Sequence, residues 1–472
     1  MMLTKKETLI LVLTGIAAGL FMTFYPAGLF IFLLFLCSVF IIKVFVKTES
    51  SGFLIKLFII SFALRALFCV VNYNVGSERP FWGGDTQPDA TVYSGNAFYI
   101  AHLLKNDPTE ENLVMAKDPY LAKRMNIERT YYNDKFPPVS GYQFGVYTFL
   151  LGILYAWLGY APIAAKMLNS LFGCISIVMV YLIARQLLEE ERPARIAAAI
   201  FALFPSIFYW SVTALRDTLS NLLVLVYLFF IVKAITKKKM VFILWAVLFA
   251  YLNNLFRTRM LVVLLAGAGL ALASSLFAML KSRRRSTFKI SLLFVVIYIA
   301  CFCLLYKSMV VSKIVDAANY LASGNIPSTV LGEISAANYR IYSVWAYQQR
   351  ALTANDVFSF SYLVTIFKGL VYFFFAPFPL GNWSLNFLPF YPQVIYWYLM
   401  VPFVIKGWLI YLKKEPYTAL MFTVLLSMII IPMAVYESNI GTAFRHKDMF
   451  MPVAFVFAAY GFSKWDAVRR KP

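Results

Sequence analysis

Two aspartates, Asp85 and Asp89, stand four residues apart in the stretch FWGGDTQPDATVYSGNAFYIAHLL, residues 81–104. Apolar runs precede them. A carboxylate at the edge of an apolar environment can take a proton from a hydroxyl nucleophile. The same pair could instead simply solvate a loop. Residues 89–104 read D-x-x-x-Y-x-x-x-A-x-x-x-A-x-x-L, which puts Tyr93, Ala97, Ala101 and Leu104 on one helical face. Pro88 precedes, and Asp89 stands where an N-cap belongs. Cap and base are compatible roles, although a base that accepts backbone hydrogen bonds is a weaker one. Asp85 follows Gly83 and Gly84 in a turn and is the candidate partner carboxylate.

Cations recur near the ends of other apolar runs. Lys135, in YYNDKFPPVSGYQFG, is placed to meet an anion or to snorkel. Arg216 and Asp217 interrupt FALFPSIFYWSVTALRDTLSNLLVLVYL, where ionisable groups are costly and often functional. An interfacial salt bridge or a helix cap is the plainer alternative there. Arg257 and Arg259 sit in the short turn NNLFRTRML. Arg445, His446, Lys447 and Asp448 cluster ahead of the last apolar run. Arginine pairs and mixed basic clusters suit phosphate or pyrophosphate.

The elements that must hold these residues are membrane helices. The chain has 472 residues, 61% hydrophobic and 14% charged, with a mean hydropathy of +0.73. Soluble domains run nearer half apolar and a quarter charged. Continuous apolar runs of about 20 residues recur, at 9–24, 29–46, 53–71, 141–158, 164–187, 196–213, 217–235, 240–256, 260–280, 289–307, 359–378, 394–412, 417–436 and 446–462, each long enough to cross a hydrocarbon core. Their backbones must satisfy their own hydrogen bonds, so they are predicted as helices. The runs do not alternate, which argues against a β-barrel. The reading is an all-α polytopic membrane protein of about 12–14 spans. It is one integral membrane domain over 1–472, with a large first external loop at 72–140 carrying interfacial helices and a second at 308–358.

The formal net charge is +21. Nucleic acid is not implied, because much of the excess lies in short loops such as KKK at 237–239 and KSRRR at 281–285. Such a surface suits membrane lipids or a phosphorylated substrate. The five cysteines all lie inside apolar runs, so neither a disulfide nor a zinc site is expected. Lys5 and Lys6 followed by two apolar runs read as a retained hairpin over 9–46.

Basic loops put both termini in the cytoplasm and the 72–140 loop outside. Counting spans then fails twice. Four candidate spans (141–158, 164–187, 196–213 and 217–235) separate that loop from KKK, and two more separate 308 from Lys413. An even number would leave the lysines outside. One segment in each region is expected to be broken, re-entrant or interfacial. Pro205 and the run APFPLGNWSLNFLPFYP, residues 376–392, are the natural break points.

The order Asp89, Tyr93, Ala97 in the first external loop, then KFPP, then AAAIFALFPSIFYWSVTALRDTLSNLL, then FRHKDMFMPVAFVFAAYG resembles the GT-C membrane glycosyltransferases. More narrowly it resembles the protein mannosyltransferase and aminoarabinose transferase branch. The resemblance implies a polyprenyl-phosphate-linked sugar donor and a lipid, glycan or protein acceptor. It implies inverting transfer on the extracytoplasmic face of a bacterial-type inner membrane. It maps the family's catalytic aspartate to Asp89 and its middle acid to Asp217. Many members have a second acid directly after the first, where this chain has Ala90. The N-terminal hairpin is a further departure. No cofactor is certain. Some relatives use a divalent metal bridging carboxylate and phosphate, and the sequence does not decide that.

Two other classes share parts of this pattern. Polysaccharide polymerases and O-antigen ligases use loop arginines, and the second loop here offers only Arg340 and Arg350, with Lys313. Lipid flippases and transporters bury charges mid-span and often show repeated halves. Here such charges are few beyond Arg65 and Lys368, and no repeat is visible.

Overall fold

The computed structural model describes residues 27–46, 49–74, 88–105, 145–237, 239, 241–257, 391–416 and 445–469, with scattered positions in 261–269, 367–375 and 418–430. The described residues form helices and no strands. These are α1 Gly28–Phe45, α2 Ser51–Asn74, α3 Pro88–Leu104, α4 Val146–Leu158, α5 Pro162–Leu188, α6 Glu191–Leu203, α7 Pro205–Ser211, α8 Asp217–Lys237, α9 Val241–Asn254, α10 Tyr391–Lys414 and α11 Met451–Arg469. Four of them, α2, α5, α8 and α10, are long and apolar enough to cross a membrane. The α6–α7 pair, bent by 60°, makes a fifth if taken as one span. The fold is all-α and polytopic, as the continuous apolar runs required. Candidate spans 9–24, 260–280, 289–307, 359–378 and 417–436 lie wholly or largely outside the described residues.

The chain packs as two units. The first comprises residues 1–81, 85–178 and 208–222. Within it α1 lies against α2, and α3 against α4. Gly152 in α4 permits that second approach, since a side chain there would lie 2.8 Å from Ile100 Cβ and 3.2 Å from the Ala97 carbonyl. Tyr93, Ala97 and Ala101 are buried as the helical spacing predicted, and α4 covers the helix that carries them. Leu104, placed on the same face by the sequence, is exposed at the frayed end.

The second unit comprises residues 82–84, 179–207 and 223–472. Its core is the crossing of α10 and α11, with α6 also packed on α11. Gly407 and Gly461 face each other's backbones: a Cβ on either would collide with a carbonyl of the opposite helix. Small residues permit this approach, and packing between helices replaces the hydrophobic drive that lipid removes. The last helix was expected over 446–462. It starts instead at Met451, because Pro452 is tolerated in a first turn and not deeper. Arg445, His446 and Lys447 form a separate helical turn before it.

Polar contacts gather at one end of this unit. Lys464 Nζ bonds Glu190 Oε1 at 2.6 Å, and Arg192 pairs with Asp466. Arg185 Nε donates to Glu191 Oε1 at 2.8 Å and Tyr181 Oη to Glu191 Oε2 at 2.6 Å. Gln186 Nε2 donates to Thr236 Oγ1 at 2.8 Å. The C-terminal ends of α5 and α8 therefore meet. Pro205 breaks the helix, as predicted, and the α6–α7 pair is bent there by 60°. α4 is also short, its 13 residues spanning only about 20 Å. The lysine–glutamate pair is more than a third exposed, so replacing Glu190 by alanine should cost about 1 kcal/mol or less. Thermal melting in detergent checks this.

Candidate functional site

In the first unit, α3 begins at Pro88, two residues before the start that an Asp89 cap predicted. Proline suits a first turn, where its missing N–H costs nothing. Asp89 therefore lies in the first turn and not at the cap. A carboxylate is still favoured there by the positive end of the helix dipole. One turn further along, Tyr93 is buried and meets Tyr147 of α4 edge-on, with ring centroids 5.6 Å apart. Ser94 Oγ lies 2.9 Å from Tyr155 Oη and fastens the same two helices.

Tyr147 connects this pair to the middle of the sequence. Asn169 of α5 directs Nδ2 at Tyr147 Oη (3.0 Å), the Thr213 carbonyl (2.6 Å) and the Leu215 carbonyl (2.7 Å). Two amide hydrogens serve three acceptors, so one is shared. The carbonyls belong to the non-helical turn at 212–216, which leads into α8 at Asp217. Asp217 is 3% exposed and within electrostatic reach of Tyr147, as is Tyr93. Arg216 beside it is half-buried. Tyr93 and Asp217, far apart in sequence, thus share one cluster through Tyr147 and Asn169. Sequence reading missed those two linkers. Tyr147 looked like one aromatic among many, and Asn169 like a stray polar residue in an apolar run. Lys166, also buried and one turn before Ser170, was missed for the same reason.

The second unit holds the basic residues. Arg257, just past α9, approaches Met449 Sδ with Nη1 at 3.9 Å. That contact joins two clusters the sequence kept apart: NNLFRTRML and FRHKDMF. Arg445 and His446 are half-buried, and Lys447 and Asp448 are buried. Asp448 Oδ1 accepts a hydrogen bond from Ser206 Oγ at 2.6 Å, and Gln393 Nε2 donates to Ser206 Oγ at 3.0 Å. The chain Gln393–Ser206–Asp448 anchors the basic turn to α10 and to the residue after the helix-breaking proline. The sequence signal for it was weak: a serine directly after Pro205.

Asp85, Lys135 and Arg259 lie outside the described residues, as do Lys313, Arg340, Arg350 and Lys368. Among the described residues no group of three or more histidine, cysteine or acidic side chains could hold a metal ion.

A family model described as dolichyl-phosphate-mannose-protein mannosyltransferase matches residues 146–309. The match supports the GT-C resemblance. It covers roughly a third of the chain, from the start of α4 past the end of α9. Tyr147, Asn169, Arg216, Asp217, Arg257 and Arg259 fall inside it, while Asp85, Asp89, Tyr93, Lys135, Arg445 and His446 fall outside. No curated protein and no solved structure matches the chain. At the coarse level, the GT-C match supports a membrane glycosyltransferase with a lipid-phosphate-linked sugar donor.

Proposed function

We propose that the protein transfers one sugar, with inversion, from a polyprenyl-phosphate carrier to an acceptor on the extracytoplasmic face of a bacterial-type inner membrane. One observation carries the reading. The aromatic of the loop motif, Tyr93, and the middle acid, Asp217, come together through Tyr147 and Asn169. A loop that only solvated its acids would not share a buried cluster with an acid in the middle of the chain.

Asp89 is the base that takes the proton of the acceptor hydroxyl as it attacks the anomeric carbon, with Asp85 as its assistant. The phosphate that leaves takes the bonding electrons and is its own leaving group. Arg257, Arg445 and His446 stabilise its charge, with Lys135 and Arg259 as further candidates. Asp217, flanked by Arg216, orients the bound substrate. Were a divalent ion bound, Asp89 and Asp85 would hold it, and it would supply positive charge against the phosphate.

The topology fits. If α4 is the segment that stays at the outer interface, three crossings separate the 72–140 loop from Lys237–Lys239. The basic loop then lies in the cytoplasm and the 72–140 loop outside. The loop at 308–358 is assigned outside on the same argument.

The purified protein, given labelled polyprenyl-phosphate sugars and a membrane acceptor fraction, should transfer label without nucleotide. Lipid translocation in liposomes with no transfer would replace this reading with a flippase. Arg257→Ala should raise the donor KM about tenfold or more, the scale of one charge-assisted contact. A titration of donor against initial rate checks it.

A further inference from the structure

The turn at 212–216 is buried and has no helical hydrogen-bond ladder. Val212, Thr213, Ala214 and Leu215 are all buried. Non-helical backbone inside a membrane protein must find partners for its polar groups. Here the amides of Val212 and Thr213 bond back to the Tyr209 and Trp210 carbonyls, and carbonyls of the turn are met by side chains of α2 and α5. Asn169 takes the Thr213 and Leu215 carbonyls. Ser170 Oγ donates to the Ser211 carbonyl at 3.2 Å, and Cys69 Sγ approaches the Val212 carbonyl at 3.7 Å. Arg65 Nε donates to Ser211 Oγ at 2.8 Å.

Arg65 is completely buried in an apolar helix, a costly position for a cation. It also bonds Ser61, and its guanidinium lies 4.7 Å from the Phe208 ring centroid. Gly173 of α5 leaves the room that Ser211 occupies: a Cβ there would lie 2.7 Å from Ser211 Cβ. Four side chains on two helices thus grip the five residues Ser211–Leu215, and the next two residues are Arg216 and Asp217.

We propose that Asn169 and Arg65 are positioning residues, forming a polar tether that fixes the 211–215 backbone and so sets Arg216 and Asp217 for sugar transfer. The inference rests on the function proposed above only for its effect on rate. The tether itself is a statement about the backbone. A misplaced site residue costs rate steeply, on the order of 100-fold per ångström.

The test uses the full-length protein in nanodiscs, with amide hydrogen exchange and transfer kinetics measured on the same samples. Asn169→Leu keeps the side chain's bulk and removes its donors. It should speed exchange across 211–218 by about tenfold or more, the scale expected when a local opening becomes easier. It should also lower kcat/KM by about 10- to 100-fold. Tyr181→Phe removes a hydrogen bond nearer the other end of α5 and serves as a control for stability. It should leave 211–218 exchange unchanged and kcat/KM within a few fold of the parent. Arg65→Lys retains a donor toward Ser211 and should protect the turn better than Arg65→Met.

Wild-type exchange across 211–218 in Asn169→Leu would overturn the tether. So would equal losses of kcat/KM in Asn169→Leu and Tyr181→Phe at matched melting temperature. Equal exchange in Arg65→Lys and Arg65→Met would remove Arg65 from it. If the parent protein transfers no sugar from any donor tried, the glycosyltransferase reading fails, and the exchange data alone decide the tether.

Discussion

Asp89→Asn should lower sugar transfer by about 100- to 10,000-fold while the protein melts as the parent does. The substitution keeps the side chain's size and its place in the first turn of α3 and removes the proton acceptor. Asparagine is also tolerated near a helix start, so the helix should persist. The loss should fall on kcat, because the proton moves only as the acceptor oxygen attacks. Asp85→Asn should cost less, as an assistant's removal does. The measurement is initial rate against donor concentration for folded, monodisperse protein. Full transfer by a stable Asp89→Asn protein would sink the base assignment and promote Asp85 or an acid outside the described residues. A raised KM with kcat intact would make Asp89 a binding group.

The second large effect is structural. Gly461→Leu should prevent α10 and α11 from closing and lose most of the folded protein. A Cβ at either Gly407 or Gly461 would run into a carbonyl of the facing helix. Backbone cannot yield as a flexible side chain can, so the helices must separate. Phe457 and Tyr411, whose rings pack across the interface at 5.7 Å, would part with them. Overpacking of a tight core costs 1–3 kcal/mol even where side chains can adjust, and here about that much is a lower bound. Size-exclusion recovery and melting in detergent check it. Gly461→Ala should lie between, and a Gly461→Leu protein as stable as the parent would show that the helices can cross elsewhere.

Much of the helix layout was legible in the sequence because lipid leaves a chain few choices. Apolar runs must be helices, and α2, α5, α8 and α10 lie within a few residues of their predicted bounds. The spacing of Tyr93, Ala97 and Ala101 named the buried face of α3. Pro205 named the break between α6 and α7. Hydropathy could not show that α4 starts only at Val146, since the aromatic residues Tyr142 and Phe144 prolong the apolar run ahead of it. It also could not tell a crossing from a helix covering another helix. Of the candidate site, the ionisable residues were legible because charge is conspicuous in an apolar chain. Their linkers were not. Asn169, Ser206 and Gln393 act through contacts between residues far apart in sequence, and nothing in the local pattern marks them.

The contact of α5 with the 211–215 turn constrains how the protein is made. At roughly 5–20 residues per second, the chain between them takes seconds to emerge from a ribosome. During that interval α5 has entered the bilayer with Asn169 and Ser170, but the carbonyls of Ser211, Thr213 and Leu215 are not yet there to receive them. Until that turn arrives, Asn169 has only Tyr147 of α4 to bond and Ser170 only the Lys166 carbonyl of its own helix, and that window is when an insertase or a membrane quality-control protease has something to recognise.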